Sequence, residues 1–327
     1  MLEFKELYQK IQSENLSKFQ ELEELAKKES KRNRKICAII CIILDLIILF
    51  AVSKVSNENL GNVSNESGAF SGMMIFVTLF QLLIIDLVIC LVICAIFGKN
   101  QRKYAQVFKE NVIKALIDNF YDDAKYSPNT GIPKSVYNED RYNEYYNRYN
   151  SEDYFEGKIL NKYNIEMAEV ETQKVETHRD SKGNTHTTTT TIYHGLFAKV
   201  DMEKSIQTSL QIRKNHKTTG EKVRMDSQVF EEYFDVASDN KIITMQILTH
   251  DVMDMLMSFV EATKIKFDIS VYGSQMYFRF YTGEVFELPS LKKGAFDEDA
   301  LKKYYDVLEF TYILSRKMIE LIEEAKI

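Results

Sequence analysis

Six residues near the N-terminus have the types and the spacing to do chemistry together. Cys37-x3-Cys41-x3-Asp45 lies in one apolar run and Asp86-x3-Cys90-x3-Cys94 in a second, mirrored one. Residues at i, i+4 and i+8 share one side of a helix. If the runs fold back antiparallel, one register pairs Cys37 with Cys94, Cys41 with Cys90 and Asp45 with Asp86. Small residues at every fourth position let two helix backbones approach, which makes helix packing the first role for the four cysteines. Acylation near the membrane boundary is a second. A thiolate metal site is disfavoured because hydrocarbon opposes the charged thiolate. An ionised carboxylate at mid-bilayer costs about 2.5–3.5 kcal/mol, so Asp45 and Asp86 are expected to share a proton. That pair either pins the hairpin or forms an intramembrane polar site handling a proton or cation, or receiving a partner's basic residue. Gln81 is placed to join either scheme.

Two membrane-crossing helices are needed to position these groups. Ile36–Val52 and Met73–Phe97 are long and apolar enough to read as spans. The expected layout is an amphipathic helix over 1–35, transmembrane helices over 36–55 and 73–97, and an external loop over 56–72. Basic residues cluster before the first run (Lys27, Lys28, Lys31, Arg32, Arg34, Lys35) and after the second (Lys99, Arg102, Lys103). The positive-inside rule then puts both termini in the cytoplasm of a multi-pass cell-membrane protein. No cleavable leader is read, because the first apolar run starts only at Ile36. The Asn-x-Ser triplets at Asn62 and Asn65 read as plain polar loop residues.

On the cytoplasmic side, Phe4, Leu7, Ile11, Phe19, Leu22 and Leu25 recur at helical spacing, as do Tyr104, Phe108, Val112, Leu116 and Phe120. Extending the hairpin register predicts a helical neck, which with its linker covers 98–150, with Phe19 across from Val112 and Ile11 across from Phe120. Asp122–Pro133, with Ser127-Pro128, Gly131 and Pro133, breaks the pattern and marks a domain boundary. Tyr142, Tyr145, Tyr146 and Tyr149 then read as one helical packing face.

Residues 151–327 read as an α+β domain with a mainly antiparallel sheet and a long C-terminal helix. Ile165–His178 and Thr185–Tyr193 predict a hairpin around Asp180–Asn184, with Leu196–Met202, Ile206–Arg213 and Tyr233–Val236 as further strands. Ile265–Tyr272 and Met276–Tyr281 predict a second hairpin about Gly273-Ser-Gln275. Thr249–Glu261 and Asp297–Lys326 predict helices, the first capped by Thr249 or His250. A two-residue turn at Lys182-Gly183 would set His178 and His186 on opposite faces of the ribbon; a three-residue turn would set them on one face. The Thr187–Thr191 run suits a solvated or edge strand.

The order SEDYFEGKI (151–159), HGLFAKVDM (194–202), FEEYFDVASDNKIITMQILTHDVMDML (230–256), FDISVYGSQMYFRF (267–280) and KKYYDVLEF (302–310) resembles the bacterial two-span membrane proteins grouped as domain-of-unknown-function family 3137. The resemblance implies membrane anchoring and a cytoplasmic domain. It implies no activity, cofactor or catalytic residue.

The chain has 327 residues and a net charge of −6, which does not suit a nucleic-acid partner. No phosphate-cradling glycine loop, His-Glu-x-x-His, paired-cysteine zinc motif or Gly-x-Ser-x-Gly turn occurs. The reading is a membrane-anchored, non-enzymatic adaptor without cofactor or metal. Its cytoplasmic domain binds a protein partner, in a homo-oligomer on one variant of the idea. The rival reading is a proton- or cation-handling subunit built on Asp45 and Asp86.

Overall fold

The computed structural model describes residues 1–59, 84–92, 98–180, 184–214, 218, 220–290 and 293–324. They form two compact units. The larger comprises Met1–Glu14, Val107–Pro289 and Ala295–Ile327; the smaller comprises Asn15–Gln106 and Ser290–Gly294.

The larger unit is built on an antiparallel sheet of β1 (Asp122–Ser127), β2 (Arg148–Ile159), β3 (Tyr163–Arg179), β4 (Thr185–Arg213), β5 (Asp235–Ser238) and β6 (Phe267–Phe280). The first five pair in chain order, and β6 runs along β4 from Leu196 to Arg213. The antiparallel sheet and the C-terminal helix, α9 (Glu298–Glu324), match the α+β expectation.

β4 absorbs three of the expected strands into one of 29 residues. The expected second hairpin does not form, since β6 is continuous through Gly273. Gly273 has φ +55°, and the β4–β6 register slips between Asp201, Ile206 and Ser209. A left-handed glycine there makes a bulge rather than a turn, because β4 offers a partner on both sides of it.

Alternation along β6 serves both faces of the sheet. Phe267 and Phe280 pack against α8 (His250–Thr263) and α9, where Phe259 and Phe310 stack at 3.9 Å. Tyr277, Arg279 and Tyr281 face the other way, beneath residues 132–147. α8 starts one residue later than expected; Thr249 is its N-cap without a side-chain cap bond, and His250 lies 3.3 Å from Asp254 instead. The first residues of α1 (Phe4–Asn59) pack Phe4 on Tyr305, while the Tyr305 hydroxyl donates to the Leu2 carbonyl.

In the smaller unit, α1 continues beside residues 84–92 (α2) and α3 (Lys99–Phe108). Phe19 meets the Tyr104 ring at 5.8 Å, and the Glu29 carboxylate accepts from the backbone N–H groups of Asn100 and Gln101. A buried carboxylate thereby caps the first turn of α3, whose amides have no partner within the helix.

The transmembrane hairpin is not found. No helix among the described residues is long and apolar enough to cross a membrane. The run Ile36–Val52 is 17 residues, at the bottom of the spanning range, and is one stretch of a longer helix that is polar before it. That helix continues to Asn59, through the start of the expected loop. Of Met73–Phe97, only 84–92 is described; Asn62, Asn65, Gln81 and Cys94 lie outside the described residues.

The single register is corrected too. Cys37 is disulfide-bonded to Cys90, where the expected register paired Cys41 with Cys90. The charges of Asp45 and Asp86 both bear on the Cys41 thiol. Phe19 meets the Tyr104 ring within the smaller unit.

The helical neck is corrected as well. After α3 come a π-helical turn (Lys109–Ile113) and α4 (Lys114–Asp118), and then the sheet begins, at Asp122 rather than after 150. Residues 141–147 are not helical, so the four tyrosines share no helix face. Arg141 and Asn143 have φ of 61° and 52°, left-handed values that a helix cannot contain.

Candidate functional site

Residues 132–147 lie across the sheet face made by β4 and β6, and two buried arginines hold them there. Arg279 of β6 is 2% exposed. Its Nε donates to Asp140, in the turn that follows α5 (Lys134–Tyr137), and its Nη1 donates to Glu144 at 2.6 Å. Arg213 of β4 donates through Nη2 to Glu144 at 3.0 Å and to Asp268 at 3.1 Å. The Tyr281 hydroxyl adds a bond to Asp268 at 2.9 Å. Arg279 stacks on the rings of Tyr137 and Tyr142, and Arg213 on the opposite side of this group also stacks on Tyr142.

Each buried guanidinium therefore has carboxylates on its edge and aromatic carbon on its face, the arrangement that makes burial of charge tolerable. Burial pushes the Asp140 carboxyl above its ordinary value, with Arg279 pulling against it. The left-handed Arg141 is held by stacking its guanidinium 3.8 Å over the Tyr272 ring.

Above this network is an open concavity of about 400 Å³. Arg279, Asp140 and Glu144 form its floor, and Lys134, Tyr145 and Tyr146 its walls. Lys134 sits 4.7 Å over the Tyr146 ring, and Tyr145 is 69% exposed. Tyrosine and arginine side by side, with a preformed polar floor, are the residue types on which binding energy concentrates at protein interfaces.

A second polar cluster lies inside the larger unit. Lys109 projects from the π-helical turn and donates to Asp153 at 2.8 Å and to Glu287. Tyr126 donates to Asp153 as well. Burial lowers the Lys109 pKa, but its bonds to Asp153 and Glu287 outweigh this and hold it above the ordinary value. Burial raises Asp153 to about 6 against the pull of Lys109. Glu169 of β3 accepts from the Val285 amide at 2.9 Å and lies 3.4 Å from His194 Nε2. Burial, with the charges of Asp153, Glu152 and Glu287, raises it to about 8.

The raised Glu169 has a sign that can be tested. Between its ordinary value and about 8 the folded chain keeps a proton that the unfolded chain has released. Stability from this group is full at low pH and falls as pH rises through that window. In urea melts, Glu169→Gln is expected to flatten the loss of stability between pH 5 and pH 8. It should also make the chain more stable than the parent at pH 8, by about 2 kcal/mol. An unchanged slope would show that Glu169 is ionised at neutral pH.

Among the residues singled out in the sequence, Cys37, Cys41, Cys90, Asp45 and Asp86 belong to the smaller unit and lie apart in sequence from both clusters. The arginine network escaped sequence reading because Asp140 and Arg279 are 139 positions apart. The one local signal was an arginine in the alternating run Met276–Tyr281, where every neighbour is apolar or aromatic.

Residues 191–319 match the family described as "Protein of unknown function (DUF3137)". The matched segment begins within β4, at its seventh residue, and ends in α9; it contains Arg213, Asp268 and Arg279. It does not contain Asp140, Glu144 or Glu169, so the acidic half of each cluster comes largely from residues before the match. No curated protein matches the chain. The crystal structure of the mycobacterial trehalose monomycolate transport factor A, TtfA, is similar over 60% of this chain and 90% of its own, with 6% identity and a TM-score of 0.31. A likeness at that TM-score carries no argument.

Proposed function

We propose that this chain is a non-enzymatic adaptor or scaffold whose α+β unit binds a protein partner through the concavity over Arg279. The supporting observation is the combination of exposed Tyr145, half-covered Tyr146 and a floor of paired charges that is already in place. A preformed floor spares the ordering cost of binding, and an exposed tyrosine supplies contact area with few rotors to freeze.

The same reading attaches the chain to a lipid bilayer by apolar contact. Ile39, Ile42, Ile43, Leu46, Ile47 and Phe50 on α1 are more than half exposed to solvent, as are Leu87, Val88 and Leu91 on α2. A contiguous apolar surface of this kind marks an interaction site.

One experiment tests both halves. The full chain, with a photoreactive phenylalanine in place of Tyr145, is expressed in its host, irradiated and fractionated without detergent. A covalent adduct to a second protein, in the membrane pellet, is the expected result; an adduct to another copy of the chain would make the partner a homo-oligomer. No adduct from position 145 would overturn the binding site, and recovery of the chain in the supernatant would overturn the attachment to lipid.

A further inference from the structure

Three sulfurs meet between α1 and α2 of the smaller unit. The Sγ atoms of Cys37, Cys41 and Cys90 all lie within 4.8 Å of one another. Cys37 and Cys41 are one turn apart on α1. Cys90 comes from α2, with its Cα 5.6 Å from that of Cys37. Asp86 stands one turn before Cys90 on α2, as Asp45 stands one turn after Cys41 on α1. Each helix therefore offers ligand types at i and i+4, the spacing at which two side chains on one helix face converge on a single ion.

The two acids are part of the same grouping. The charges of Asp45 and Asp86 both act on the Cys41 thiol. One oxygen of each carboxylate is buried and has no hydrogen-bond partner among the described residues. A buried oxygen of this kind costs free energy until a proton or a cation meets it. The other faces of these helices are apolar: Ile39, Ile43 and Leu46 on α1 and Leu87 and Leu91 on α2 are exposed, whereas Cys37 is 6% exposed. Sulfur and carboxylate are gathered where the two helices meet.

We propose that Cys37, Cys41 and Cys90, in their reduced form and with the Asp86 carboxylate as oxygen donor, bind a zinc ion. Thiolates bind zinc at about 2.3 Å, so a tetrahedral site sets its sulfurs roughly 3.8 Å apart. The three sulfurs are already near that spacing. Thiolate ligands select zinc or monovalent copper and exclude magnesium and calcium, which take oxygen. The carboxylate favours zinc of the two, because zinc accepts oxygen beside sulfur. The ion also answers the objection that an apolar setting opposes charged thiolates: with zinc bound, three thiolates carry one net negative charge instead of three. The site is independent of the concavity over Arg279.

One other grouping among the described residues brings ligand atoms as close, and it is already served. Among Glu152, Asp153 and Glu287, the Lys109 ammonium bonds to two of the three.

Zinc and the Cys37–Cys90 disulfide exclude each other, since both use the same two sulfurs. A dithiol reductant opens the bond: it supplies two electrons and two protons, leaves as its own disulfide, and frees Cys37 and Cys90 as thiols. Zinc then displaces the thiol protons and takes the sulfurs as thiolates. In the reverse direction an oxidised dithiol accepts the two electrons, the Cys37–Cys90 bond forms, and zinc is released. The chain thus holds zinc only under reducing conditions.

The test is titration of the untagged, chelator-stripped full chain with zinc chloride at pH 7.5, once with the disulfide intact and once after reduction by a phosphine, which does not itself compete as a thiol. The reduced chain is expected to take up one equivalent and the oxidised chain none. Cobalt(II) in place of zinc should give sulfur-to-metal charge-transfer absorption, stepped down in Cys37→Ser, Cys41→Ser and Cys90→Ser. Zinc affinity should fall in each of these by more than the roughly 10–100-fold that loss of an outer-sphere contact costs, and less in Asp86→Asn. A readout on the parent chain needs no variant: zinc should slow alkylation of Cys37, Cys41 and Cys90 together, followed by mass spectrometry of their peptides. Equal uptake by the oxidised and reduced chains, or alkylation of the three cysteines unchanged by zinc, would overturn the site.

Discussion

Replacing Arg279 by methionine is expected to cost the full chain about 3–5 kcal/mol of stability, read as a shift of the urea midpoint at unchanged slope. The expectation follows from what is left behind. Asp140 is 1% exposed and Glu144 loses its second guanidinium bond, so two carboxylates face a neutral side chain of similar volume. Lysine is not an adequate substitute. A single ammonium lacks the planar edge that bonds Asp140 through Nε and Glu144 through Nη1 while lying flat between Tyr137 and Tyr142. The loss should also depend on pH. Without the guanidinium, the Asp140 carboxyl is raised further above its ordinary value, and the folded variant takes up a proton that the unfolded chain has lost. The penalty is therefore smaller at pH 5 than at pH 8. Restoring much of the lost stability in the Arg279→Met/Asp140→Asn double variant would establish the direct coupling. A loss below about 1 kcal/mol in the single variant would mean that the network does not hold residues 132–147 to the sheet.

Gly195→Ala is the second large effect, at about 3–5 kcal/mol. A Cβ on Gly195 would fall 1.8 Å from the Phe280 carbonyl oxygen and 2.8 Å from the Thr282 nitrogen. Both obstacles are backbone, so no rotamer change relieves them, and β6 must draw away from β4 where the two begin to pair. Gly273→Ala provides the contrast. Gly273 has φ +55° but its nearest neighbour is 4.0 Å away, so alanine there pays only the left-handed strain, about 1–2 kcal/mol. Equal losses at the two positions would refute the close approach at Gly195.

The local elements of the larger unit were readable because their patterns are local. Alternating Val, Ile and Thr marked β3 and β4, and the 3.6-residue recurrence of apolar side chains marked α8 and α9. The readings failed where a distant partner decides. Gly273-Ser-Gln275 has turn chemistry, yet becomes a bulge because β4 runs past it. Tyr142, Tyr145 and Tyr149 fit a helix by spacing, yet Arg141 and Asn143 adopt left-handed backbone because Arg279 and Tyr272 pull the segment onto the sheet. The mirrored Cys and Asp pattern fixed which faces of the two apolar helices look at one another, since Cys37 does bond to the second helix. It did not fix the axial offset, because a slide of four residues keeps the same two helix faces together. The arginine network had no readable signature beyond one arginine in an aromatic strand.

The length of β4 also governs how the chain must assemble. Its second half, up to Arg213, has no β6 to pair with until residues beyond Phe267 have been made. At about 5–20 residues per second of synthesis, that interval is roughly three to ten seconds, during which this edge of β4 is without its β6 partner. An open edge of that kind is a template for other strands, so the half-made sheet is more exposed to mispairing than the finished one.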